Sequence, residues 1–137
     1  MRLTVFGKPE GKARPRVVKG HAYTPENTAA YECMVQAAFR QGNPGACPLQ
    51  GAVRVEIAAF YAVPKSASKR MQARMRNNEM LPVIRPDWDN IGKLVCDALN
   101  GIAWKDDAQV VEASVVKRYG ITPMVCVKIE EVASESD

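Results

Sequence analysis

The chain has 137 residues, 47% of them hydrophobic and 25% charged, with a formal net charge of +4. That profile is the one expected of a soluble globular protein, with residues enough for one cored domain over 1–137 and too few for two. No apolar run approaches the roughly 18 residues of a membrane span, and the opening residues reach Gly7 and Pro9 too soon for a secretory signal, so a cytoplasmic protein is expected.

Leu3 to Phe6 alternates apolar and polar residues and predicts a short strand. Gly7 to Gly20, rich in Pro, Gly and basic residues, predicts a loop. Thr24 followed by Pro25 is a helix start, an N-cap with Pro at the first helical position. Tyr31, Met34, Val35 and Ala38 then recur at helical spacing until Gly42-Asn43-Pro44 stops the run. Val53, Val55, Ile57, Ala59 and Tyr61 alternate strictly and predict a half-buried strand over about residues 52–63.

Ser66 to Arg76 reads either as a basic helix or as a segment that orders only against a partner. Ile91, Leu94, Val95, Ala98 and Leu99 mark a further helix, ended by Asn100-Gly101. Gln109–Tyr119 and Met124–Val132 are β-rich runs around a Gly-Ile-Thr-Pro turn, most simply a hairpin. Residues 134–137 form a tail expected to fray. This order predicts an α/β or α+β domain, a mixed sheet with flanking helices.

The charge is sorted along the chain. Arg2 to His21 carries six Lys/Arg against Glu10, Lys65 to Arg85 another six against Glu79, and the remainder is net acidic. Two basic stretches beside an acidic remainder suit a polyanionic partner, although two solubilising loops would give the same tally. The cysteines, Cys33, Cys47, Cys96 and Cys126, form no Cys-x-x-Cys pair, and His21 is the only histidine. A zinc site is therefore not expected, and the cysteines read as small buried hydrophobes in a reducing compartment.

The chemistry concentrates between Arg85 and Asp107. On a helix that buries Ile91, Leu94, Val95, Ala98 and Leu99, the opposite face carries Asp89, Lys93, Asp97 and Asn100. Asp87 and Asp89 flank one residue, and in an extended segment their side chains would point the same way. Asp106 and Asp107 come just after the Gly101-Ile-Ala-Trp run, at an expected strand or turn edge that can bring one of them alongside. Hard oxygen donors of this kind suit Mg²⁺ or Mn²⁺, with Lys93 supplying a fixed positive charge. The plainer alternative is an Asp N-cap, an ordinary i,i+4 lysine and a solvated turn, and spacing does not decide between them. Trp88 and Trp104 read as core residues before they read as stacking surfaces.

The run RPDWDNIGK at Arg85–Lys93, then DALNGI from Asp97, then WKDDAQV from Trp104, closely resembles the signature of the RusA family of Holliday-junction resolvases. Gly7-Lys-Pro, Lys12-Ala-Arg-Pro-Arg and Tyr23-Thr-Pro resemble the family's opening, so the likeness covers about residues 5–118. The resemblance implies a small mixed-sheet domain acting as a homodimer on four-way DNA junctions, with Mg²⁺-dependent cleavage. It implies metal-binding aspartates at Asp87, Asp89 and Asp107, a catalytic lysine at Lys93, and secondary or structural parts for Asp106 and Asp97. Directly before Asp87, where some members carry a basic residue, this chain has Pro86, with Arg85 one residue earlier.

The mechanism then expected is in-line attack by metal-activated water, leaving a 5′-phosphate. Lys8, Lys12, Arg14, Arg16, Lys69, Arg70, Arg74 and Arg85 are the candidate phosphate contacts. Two rivals are a junction-binding protein without turnover and a general Mg²⁺-dependent nuclease. A nucleotide-processing enzyme lacks support, since no Walker-type Gly-rich loop is present.

Overall fold

The structure is a computed structural model that describes residues 1–13, 16–18, 20–23 and 26–133, with 16–18 and 21–23 described as backbone only. Its core begins with β4 (Val53–Ala62), whose strict alternation buries Val53, Val55, Ile57, Ala59 and Tyr61 on one face. β6 (Met124–Glu131) runs antiparallel to it and buries Val125, Val127 and Ile129 on the same side. β1 (Arg2–Phe6) adds Leu3 and Val5 on the outer edge of β6. β5 (Val110–Gly120) pairs parallel with the other edge of β4, giving a mixed sheet in the order β1-β6-β4-β5.

Two helices complete the core. α1 (Glu26–Gly42) buries Thr28, Tyr31, Val35 and Phe39, and α3 (Trp88–Leu99) buries Ile91, Leu94, Val95, Ala98 and Leu99. All of these except Thr28 form one cluster with the inward face of the sheet, so periods of 3.6 and 2 meet in a single apolar layer. On the other sheet face Arg54 bridges Glu112 of β5 and Glu130 of β6, the latter at 3.2 Å. α2 (Lys69–Arg76) is a short helix capped by Ser68, whose hydroxyl accepts from the Met71 N–H at 3.2 Å. The basic stretch thus takes the helical of its two readings.

Three expectations need correction. The β-rich runs do not pair as a hairpin, because β4 lies between them and the Gly120–Pro123 turn carries the chain across its end. The alternating apolar positions of β6 earn it an interior place, while β5, exposed over much of its length, suits an edge. The segment read as loop, Gly7 to Gly20, contains a strand, β2 (Arg16–Val18), which pairs with β3 (His21–Tyr23) just beyond it. Met34 is exposed and Phe39 takes the core position instead, because the buried stripe of α1 runs through Thr28, Tyr31, Val35 and Phe39. The helix start at Thr24-Pro25 and the tail 134–137 lie outside the described residues.

Candidate active site

α3 starts at Trp88, with Asp87 as its N-cap residue in extended backbone and Asp89 in the first turn. Asp87 makes no side-chain capping bond, so its carboxylate is not spent on the helix in the way the plainer reading assumed. The helix begins between the two aspartates, and both line one hollow, with Arg85 and Lys117. Asp89 faces a cavity of about 370 Å³ between α3 and β5, lined also by Lys93, Cys96, Asp97 and Asp107. Asp87 faces the neighbouring hollows toward Arg85 and Lys117 and toward Lys8 and Lys12.

Asp107 opens a short 3₁₀ turn, Asp107–Gln109, that leads into β5. Its Oδ1 accepts from the Trp104 indole N–H at 2.8 Å, and Trp104 is fully buried. The indole therefore orients the carboxylate, and Asp107 lines the same cavity as Asp89. Gln109 holds the turn in place: its amide donates to the carbonyls of Leu49 and Gly51 at 2.8 and 2.9 Å, and its Oε1 accepts from the Asp106 N–H at 2.8 Å. Asp106 is exposed and does not line the cavity.

Sequence reasoning missed the residues that carry Asp87 to its position. The Tyr61 hydroxyl donates to the Pro86 carbonyl at 2.9 Å, and the Lys117 ammonium donates to the Ile84 carbonyl while lying 5.3 Å from the Tyr61 ring centroid. Adjacent strands β4 and β5 thus clamp the segment before α3 at two points. Burial, with Asp87 nearby, pushes the Tyr61 phenol up to about 12, so it stays a donor. No local motif marks Lys117, because only the parallel pairing of β5 with β4 brings it there. Gln109 was visible within the DDAQV run, but its bonding was not.

The cysteines and tryptophans also depart from expectation. Cys33 and Cys47 are exposed and Cys96 and Cys126 half-buried, since none falls on a core stripe. At the cavity, burial with Asp107 and Asp97 pushes the Cys96 thiol up to about 11, which keeps it protonated and poorly nucleophilic. Trp104 is core as read, whereas Trp88 is 64% exposed, because α3 points it away from the buried stripe.

The candidate phosphate contacts separate into groups. Lys69, Arg70 and Arg74 are exposed on α2, with Arg74 Nε 3.7 Å from Glu79. Lys8 and Arg85 are exposed beside Asp87. Lys12 is instead held between Glu32 of α1 at 2.7 Å and Asp97 of α3 at 3.1 Å, so that Asp97 ties the early loop to the helix. Its hydrogen bond to the Glu32 carboxylate, against some desolvation and with help from Asp97, raises the pKa of this ammonium. Arg16 is placed only by its backbone in β2, and Arg14 lies outside the described residues.

A hard divalent cation fits the donors chemically. Asp89 and Asp107 offer carboxylate oxygens to one cavity, and Mg²⁺ is commonly held by one or two carboxylates with waters and substrate phosphate. Among the described residues no three acidic, Cys or His side chains gather around one point. The expected trio spans two adjoining cavities that share Asp89, one lined also by Asp107 and the other by Asp87. No helix of the described residues is long and apolar enough to cross a membrane.

Comparison with known proteins bears on this arrangement. The family model described as Endodeoxyribonuclease RusA matches residues 7–130. An uncharacterized protein, YqaN of Bacillus subtilis (strain 168), is 33% identical, with 98% of each chain covered.

Proposed function

Since the chain belongs to the RusA family of endodeoxyribonucleases, we propose that it is a Mg²⁺-dependent endonuclease that resolves four-way DNA junctions in recombination and repair, working as a cytoplasmic homodimer. The observation that carries this reading is the shared cavity of Asp89, Lys93 and Asp107 between α3 and β5.

In this reading Asp89 and Asp107 hold the divalent ion, Mg²⁺ or Mn²⁺, with Asp87 beside them. Such an ion supplies activated water and neutralises charge on a phosphodiester. Lys93, one helical turn beyond Asp89 on the same face, sets a positive charge against the phosphate or the departing oxygen. The indole of Trp104 keeps the Asp107 carboxylate oriented, as an outer-layer donor does for a metal ligand. Lys8, Lys69, Arg70, Arg74 and Arg85 contribute phosphate attraction without reading sequence. Paired incisions on opposing strands require two such sites, which a two-fold dimer supplies.

The test compares wild type with Asp89→Asn on a labelled four-way junction and on linear duplex, with Mg²⁺ and with chelator. Wild type should nick the junction in pairs only with metal, and the variant should lose at least about a hundredfold in rate. Equal cutting of duplex would make the protein a general nuclease. Tight junction binding without nicks would make it a binder, the alternative that the presence of Asp87, Asp89, Lys93 and Asp107 argues against.

A further inference from the structure

Trp88 stands at the boundary of two cavities. It lines the one that holds Asp89, Lys93 and Asp107, and also a second, of about 500 Å³, with Val83, Ile84, Arg85, Asp87 and Lys117. The indole is 64% exposed and Val83 95%. An indole on the first turn of α3, held between two carboxylate-bearing positions, contributes nothing to the core. Its exposure is a cost unless something covers it.

We propose that this second cavity is a subsite for a single unpaired nucleotide at a DNA branch point, with its base stacked on Trp88 and its phosphate toward Arg85 and Lys117. The proposal rests on the reading of the adjoining carboxylate cavity as the cutting site, and it names what would distinguish a junction from a duplex. Charge decides the occupant. The buried centre of a protein interface is depleted in charged groups, whereas here Arg85, Lys117, Asp87 and Asp89 surround the indole. A nucleotide matches both halves, since it offers a π-face to the indole and an anion to the two cations. In continuous duplex every base is already stacked and paired, so the subsite has nothing to take. At a branch a base can leave the stack at smaller cost, and Val83 and Ile84 extend the apolar wall against which it would lie.

The chain has two tryptophans, and Trp104 is fully buried, so the difference in emission between wild type and Trp88→Phe isolates Trp88. Titration is done in chelator, which prevents cutting, with a four-way junction, with linear duplex of the same sequence, and with a junction carrying abasic sites at the branch. The junction should quench Trp88 emission, and the duplex and abasic junction should not. Trp88→Ala should weaken junction binding about tenfold and duplex binding less than twofold, with Trp88→Phe close to wild type.

Equal quenching by duplex, or equal loss of affinity for both DNAs, would overturn the subsite. So would a concentration-dependent blue shift of Trp88 emission without DNA, which would assign the ridge to a protein contact. The two readings fail separately: junction cutting without Trp88 quenching removes the subsite alone, and quenching without any metal-dependent cutting removes the nuclease alone.

Discussion

At the level of single side chains, the bond from Trp104 to Asp107 links the core to the candidate chemistry. Among the described residues the indole N–H is the one side-chain donor to that carboxylate, and it comes from a residue with no solvent exposure. Trp104→Phe keeps most of the apolar volume and deletes the donor. It should cost about 1–3 kcal/mol in stability and lower kcat about ten- to a hundredfold at saturating metal, measured beside a denaturation curve that establishes the folded fraction. An unchanged kcat would show that Asp107 needs no such orientation. That Asp89 and Lys93 share one side of a helix was legible in the sequence by spacing alone. Their distances to Asp87 and Asp107 were not, because those depend on where α3 begins and on the turn before β5. The two tryptophans show the same limit: hydrophobicity is equal in both, and only tertiary position buries one and exposes the other.

At the level of elements, α3 and β4 were legible because each keeps one period over its whole length. The failed hairpin has a different cause. A turn signal says that the chain reverses but not which strand it meets next, and here β6 meets β4 rather than β5. The basic segments were equally ambiguous as composition, and the structure gives them different work. Lys12 is spent on Glu32 and Asp97, tying the early loop to α1 and α3. The backbone follows the same route, with Lys12 N–H donating to Asn90 O at 2.9 Å. Gly11 permits that approach, since a Cβ there would lie 2.8 Å from Pro86 Cβ. α2 presents Lys69 and Arg70 without ion-pair partners among the described residues. Lys69→Ala and Arg70→Ala should therefore each reduce the slope of log affinity against log salt by about one, with little change in stability. Lys12→Ala should leave that slope alone and cost about 1 kcal/mol in denaturant unfolding. The reverse pattern would move the phosphate contacts from α2 to the early loop.

Across the whole molecule, two buried tyrosines, Tyr31 of α1 and Tyr61 of β4, respond to alkali. Tyr31 of α1 is pushed up to about 12 by burial with Glu10 nearby, and Tyr61 of β4 to about 12 by burial with Asp87 nearby. In the unfolded chain a phenol ionises near pH 10. Between about pH 10 and 12 the unfolded state therefore binds fewer protons than the folded one, and stability must fall as pH rises through that window. Below pH 10 both states keep the phenols protonated and these two groups contribute no slope. Urea unfolding followed from pH 9 to 11.5 should show the decline begin near pH 10, and Tyr61→Phe should reduce its steepness by about half if the two phenols dominate. The same substitution removes the hydroxyl that holds the Pro86 carbonyl, so junction cleavage measured at neutral pH should also fall while the core stays folded. A variant with the wild-type alkaline slope would show that Tyr61 ionises freely, and that the clamp on the segment before Asp87 is open in solution.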